Sequence, residues 1–185
     1  MARALLVIDF QNDFTPGGAL AVEHGDEVAG RINELAASGD FDLVVATRDW
    51  HPADHGSFIP EGGTWPVHCV AGTPGAELHP ALDRSPLEAV FDKGEYAAAY
   101  SGFEGRAGGV ALADWLRERG VDAVDVAGIA TDHCVRATAL DAVAEGFAVR
   151  VLLHLTAGVA QASTDAALDE LRTAGVELAG DVHRP

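Results

Sequence analysis

Residues 4–8 read Ala-Leu-Leu-Val-Ile and stop at a charged residue, Asp9. A run that is apolar at every position, rather than at alternate ones, suits a strand buried on both faces in a helix-covered parallel sheet. The pattern recurs. Residues 43–46, 89–91, 124–127, 149–153 and 176–178 form further short β-rich runs. Between them lie amphipathic stretches. Residues 26–38 place Val28, Ile32, Leu35 and Ala36 at helical spacing, and 109–119 turn Leu112, Trp115 and Leu116 inward. A third helix reaches about residue 145, and a last one over 163–174 starts at Ser163 or Thr164. Gly120, Gly146 and Gly175 follow three of these helices as C-terminal stops.

This alternation predicts an α/β fold with right-handed crossovers: one doubly wound, three-layer α/β/α domain over residues 1–185 with a central parallel sheet. At 185 residues and 48% hydrophobic, the chain is long enough for one buried core and short for two. The exception is the irregular span 50–85, rich in Pro, Gly and His. A loop that long inside a compact domain is usually either functional or disordered.

Composition narrows the partners. With 29 acidic against 12 basic residues and a formal charge of −17, the surface repels phosphate backbones, so no nucleic-acid partner is expected. No apolar run approaches the roughly 20 residues of a membrane span. The first one ends at Asp9, too soon for a secretory signal, and a cytoplasmic location is expected. Two cysteines do not make a disulfide framework. No G-x-G-x-x-G, G-x-x-x-x-G-K-[ST] or G-x-S-x-G pattern occurs, against a dinucleotide, a nucleoside triphosphate or a serine-hydrolase elbow.

Ligand sites in open parallel sheets lie beyond the carboxyl ends of the strands. Asp9 follows the first strand here, Asp49 and His51 the second, and Lys93 the third; Cys134 opens the helix after the fourth. Singly, Asp9 reads as a cap, Lys93 as a solvated surface residue and Cys134 as a small core residue. Their convergence on one sheet edge favours chemistry. A thiol near a helix N-terminus gains thiolate stabilisation from the dipole and from N–H groups that can also hold an oxyanion. Cys69 has no strand-to-helix elbow and reads as structural. His133 diverges from Cys134 by about 100° on a helix, so Asp9 is the better base. Asp49 and His51, two apart on an extended segment, point the same way and can share an ion. His68 supplies a third ligand, and His55 or Glu61 could add another. His24, His79, His154 and His183 read as solvated loop or strand-end residues.

Five segments together resemble a known family. They are VIDFQNDFTPGGAL at 7–20, ATRDWHPADHGSF at 46–58, WPVHCVAGTPGAELHP at 65–80, FDKGEYAAAYSGFEG at 91–105 and VAGIATDHCVRATALDA at 126–142. In that order and spacing they resemble the nicotinamidase/pyrazinamidase branch of the isochorismatase-like cysteine hydrolases, over nearly the whole chain. The resemblance implies an amidohydrolase that converts nicotinamide to nicotinate and ammonia, and acts on pyrazinamide, in NAD salvage. It implies a Cys134-Lys93-Asp9 triad and one divalent metal ion (zinc, iron or manganese) on Asp49, His51 and His68. It further implies a cis Ile129-Ala130 peptide that aims the N–H groups of Ala130 and Cys134 at the substrate oxygen, and a ring pocket of Phe14, Leu20, Trp65 and Tyr100. The partner implied is a small-molecule substrate, on a monomer or a homo-oligomer. His154 departs from the acidic residue many relatives carry after the fifth strand. Two rivals are a related cysteine hydrolase of another small amide and a non-catalytic metal or small-ligand binding protein.

Overall fold

The computed structural model describes residues 1–183. Its centre is one eight-stranded sheet. In chain order the elements are β1 (Ala2–Ile8), α1 (Ala29–Ala36), β2 (Leu43–Asp49), β3 (Ala89–Lys93), β4 (Arg106–Ala107), β5 (Val110–Ala111), α2 (Leu112–Glu118), β6 (Val121–Ile129), α3 (Arg136–Ala144), β7 (Ala148–Ala157), α4 (Gln161–Thr173) and β8 (Glu177–Ala179). The strand order is β5-β4-β3-β2-β1-β6-β7-β8. The five pairings among β1, β2, β3, β6, β7 and β8 are all parallel, and β1 sits centrally between β2 and β6.

β1 shows why an all-apolar strand belongs at the middle. Ala4, Leu6 and Ile8 enter the core on one face, and Leu5 and Val7 the core on the other, because side chains alternate along a strand. The first core is closed by α2, α3 and α4 through Leu112, Leu116, Ala139, Leu168 and Leu171. The second is covered by the single helix α1, through Ile32, and by loop residues Val22, Leu78 and Leu82. The layers are therefore three, as expected, but one outer layer is half helix and half loop. Buried Asp125 on β6 pairs with Arg3 on β1 and Arg150 on β7, so its charge is matched from both neighbouring strands. Among the described residues, no helix is long and apolar enough to cross a membrane.

Several expected boundaries move. The sheet is not wholly parallel: β4 pairs antiparallel with β3, and β5 with β4. That hairpin takes Val110 and Ala111 from the expected helix, which begins at Leu112. The expected helix over 26–38 divides into a 3₁₀ turn, Gly25–Val28, and α1. β7 runs through His154 to Ala157, so that residue is inside a strand, partly buried, with its Nδ1 enclosed and unpaired. His183 likewise is not freely solvated; its side chain is 12% exposed and its Nε2 lies 3.3 Å from Glu27. Neither Ser163 nor Thr164 starts α4; Ala160 holds the cap position, and the Asp132 carboxylate accepts the N–H groups of Val159 and Ala160 from across the fold.

Candidate active site

Strand register sets the first contact. Asp49 and Lys93 are the last residues of β2 and β3 and are direct partners in the parallel ladder. Asp9 follows β1, with φ +44°, and its N–H donates to the Thr47 carbonyl at 3.1 Å. The Lys93 ammonium, fully buried, donates to Asp49 Oδ1 at 2.5 Å and to the Ala99 carbonyl at 3.2 Å. It also lies 2.8 Å from Asp9 Oδ2 and 3.7 Å from Cys134 Sγ. Two carboxylates, one ammonium and one thiol thus share one buried site.

Asp9 Oδ2 is close enough to Lys93 for an ion pair but poorly directed for a hydrogen bond, and it has no other donor within bonding geometry. Its other oxygen accepts the Thr47 hydroxyl at 2.7 Å. Burial raises the Asp9 carboxyl above the ordinary range, Lys93 opposes that, and the nearby Asp49 charge adds to it. For Asp49, burial again pushes upward, but Lys93 and His51 outweigh it and hold the carboxyl at about 2. Environment therefore pushes two like groups apart, Asp49 below the ordinary carboxylate range and Asp9 above it. Burial acts against charged Lys93 as well, and the two carboxylates more than offset it, keeping the ammonium.

Cys134 sits in a single π-helical turn, Thr131–Val135, that leads into α3. Burial pushes its thiol well above the ordinary value despite Lys93. Burial thus works against the thiolate that a helix N-terminus favours, which leaves a place for a neighbouring base. The turn is pinned at both ends. Thr131 donates to Thr156 on β7 at 2.8 Å, and the Cys134 carbonyl accepts the Thr138 hydroxyl at 2.6 Å. Thr138 in turn accepts the Gly102 N–H at 2.9 Å, fastening the segment after β3 to α3. The Ile129-Ala130 peptide is cis. Cys69 is fully buried, with burial first and three carboxylates next driving its thiol far upward.

Asp49, His51 and His68 bring ligand atoms within 4.8 Å of one another. His51 Nε2 lies 3.5 Å and His68 Nε2 4.0 Å from Asp49 Oδ2. Each imidazole uses Nδ1 elsewhere, on the Gly94 and Pro66 carbonyls at 2.7 Å, which leaves both Nε2 atoms facing inward. Backbone carbonyls orienting the far nitrogen are the usual support for metal-binding histidines, and the donor set fits a divalent cation. Gly94 permits it: with φ +73°, a Cβ there would sit 2.4 Å from the His51 ring. His55 stacks on His51 at 4.3 Å with its Nδ1 on Ser57, beside the converging set. Glu61 is exposed in a separate turn and contributes nothing.

A cavity of about 380 Å³ opens onto this group, lined by Asp49, His51, His68, Ala130 and Cys134 and walled by Phe14, Leu20, Trp65 and Tyr100. The Trp65 indole donates to the Tyr100 hydroxyl at 3.2 Å across the rim. Sequence reasoning missed three contributors. His133, set aside as a base, lines the cavity between Trp65 and Tyr100. Thr47 is a buried hydroxyl inside an apolar strand, a signal that was available. Buried Gln11 grips the Asp49 backbone with two 2.8 Å hydrogen bonds. Nothing local in the sequence announces that contact.

A buried thiol, two carboxylates and an ammonium beside an Asp/His/His set that fits a divalent cation, all around one apolar cavity on a doubly wound sheet, have the makings of a hydrolase site. The chain belongs to the isochorismatase family, whose domain matches residues 3–180, and within it to the nicotinamidase/pyrazinamidase group. It is 59% identical over 181 residues to a nicotinamidase/pyrazinamidase from Mycobacterium tuberculosis, covering 95% of this chain and 97% of that one. A nicotinate complex from L. infantum superposes with a TM-score of 0.90 at 42% identity, covering 96% of this chain and 91% of the other. A pyrazinamidase from Pyrococcus horikoshii in complex with zinc gives 0.88 at 41% identity, over 98% and 100%.

Proposed function

We propose that this chain hydrolyses nicotinamide to nicotinate and ammonia, accepts pyrazinamide, and serves NAD salvage in the cytoplasm. The observation that carries the reading is Lys93 Nζ within 2.5 Å of Asp49, 2.8 Å of Asp9 and 3.7 Å of Cys134, two of which, Asp49 and Cys134, line a ring-sized apolar cavity. Asp49, His51 and His68 would hold one divalent ion, zinc, iron or manganese. When bound, that ion supplies a Lewis-acid contact that orients the heteroaromatic ring.

Phe14, Leu20, Trp65 and Tyr100 hold the ring and set the carboxamide over Cys134. Asp9 takes the thiol proton while Lys93 balances the charge. Sulfur adds to the carbonyl carbon, and the Ala130 and Cys134 N–H groups receive the oxyanion. The C–N bond breaks as Asp9 returns its proton to the nitrogen, and ammonia leaves a thioester. Asp9 then takes a proton from water as its oxygen attacks the thioester carbonyl. Collapse breaks the C–S bond, the Asp9 proton goes back to sulfur, and the acid departs, losing its carboxyl proton to solvent to become nicotinate.

Ammonia release from a panel of nicotinamide, pyrazinamide and N-carbamoyl compounds tests the assignment. Turnover of the two ring amides is expected, stopping in Cys134→Ala. Preference for an N-carbamoyl compound, or an active Cys134→Ala, would sink it.

A further inference from the structure

We infer that Asp13 is a positioning residue that keeps the metal-binding loop and the wall of the ring pocket in register. The inference rests on the metal-assisted amidase reading above.

Asp13 lies in a one-turn 3₁₀ helix, Asn12–Phe14, directly before the pocket residue Phe14. It does not line the cavity; its oxygens tie together two segments that do. Oδ2 accepts the Cys69 N–H at 2.7 Å, one residue past His68. Oδ1 accepts the Ala19 N–H at 3.2 Å, and the Asp13 carbonyl accepts the N–H of Leu20 at 2.9 Å. One residue therefore holds the backbone on both sides of the pocket.

The geometry at Cys69 shows why a charged acceptor is used. Cys69 has φ +47°, in the left-handed region that a residue with a side chain seldom occupies. A charge-assisted hydrogen bond to its N–H favours that conformation over relaxed ones. The same conformation fixes the approach of His68, whose Nε2 faces Asp49 Oδ2 while its ring lies 5.8 Å from that of Phe14. If the Cys69 peptide turned, the His68 nitrogen would leave the ion. If the Ala19-Leu20 backbone slipped, the ring wall would move relative to that ion. Gly75 adds a constraint: a Cβ there would lie 2.2 Å from Asp13 Oδ2, so the carboxylate is held from a third side by bare backbone.

The test compares wild type, Asp13→Asn, Asp13→Ala and Gly75→Ala. Zinc affinity is measured by chelator competition, kinetics on nicotinamide are taken at saturating zinc, and thermal midpoints monitor folding. Asp13→Ala is expected to weaken zinc about tenfold or more, in the range for groups that orient metal ligands. At saturating zinc it raises KM by a similar factor with kcat little changed. Asp13→Asn, which keeps one acceptor oxygen, falls between. Gly75→Ala, which keeps the charge and displaces the carboxylate, follows the same direction and serves if Asp13→Ala does not fold. Unchanged zinc affinity and KM in the variants overturns the inference alone. So does a loss of kcat and thermal midpoint with zinc affinity intact. A wild type that binds none of zinc, iron and manganese overturns the metal-assisted reading and this inference with it.

Discussion

Asp49 and Lys93 close the ends of neighbouring parallel strands as register partners, with 2.5 Å between Oδ1 and Nζ. The other Asp49 oxygen faces His51 and His68. A single carboxylate therefore belongs to two sites at once. It neutralises the lysine beside Cys134, and under the proposed function it would supply the anionic ligand of the cation set.

Asp49→Asn should damage both sites together. The amide keeps the shape but leaves Lys93 with one anionic partner, and removing one member of a buried pair typically costs about 3–5 kcal/mol. Metal content by atomic absorption, activity and thermal midpoint are all expected to fall. Retention of metal at the wild-type level would show that Asp49 is not a ligand.

Thr47→Val removes the hydroxyl that donates to Asp9 Oδ1. That hydrogen bond favours the charged carboxylate, so its loss raises the Asp9 pKa further above the ordinary range. Activity requires the anion as base. The acid limb of kcat/KM therefore moves to higher pH, by about one unit if the bond is worth ~1.5 kcal/mol. A pH-rate profile checks this; a limb that stays put or moves down would dissociate Asp9 from the proton transfer.

Chelation should abolish activity and lower the thermal midpoint, because an ion that binds only the folded chain stabilises it by mass action, about 2.7 kcal/mol at a hundred times Kd. Restoring zinc, iron or manganese separately and assaying ammonia release ranks the metals. The midpoint should recover with any ion that His51, His68 and Asp49 accept. A midpoint indifferent to chelator would count against a resident ion.

Trp65→Ala opens the cavity rim and removes the donor to Tyr100. A larger KM for nicotinamide is expected, with kcat less affected, because the indole contributes contact to the ring rather than to the reacting amide. Losing one aromatic contact of about 1–1.5 kcal/mol corresponds to roughly tenfold. Steady-state kinetics decides it, and a fall in kcat alone would place Trp65 in the chemical step.

Much of this architecture was readable before any coordinates. The all-apolar run at 4–8 demanded a central strand, and the polar residues after each strand marked the working edge. The five family-like segments then named the roles. Three kinds of feature escaped, each for a physical reason. The β4–β5 hairpin is two residues per strand, too short for periodicity to register. His154 looked like the end of a strand because its polarity broke an apolar run, yet β7 continues beneath it to Ala157. Contacts such as Gln11 to Asp49 and Asp132 to Val159 are long-range pairings with no local spacing to betray them.

The half-loop outer layer has an evolutionary meaning. Asp9, Lys93 and Cys134 hang from the ends of strands, whereas His51, His68 and Trp65 come from the irregular chain that replaces a helix on that side. Insertions or exchanges in that chain can reshape one wall of the cavity without moving the strand ends. Asp49 limits that freedom, because the same carboxylate faces His51 and His68 on one side and Lys93 on the other.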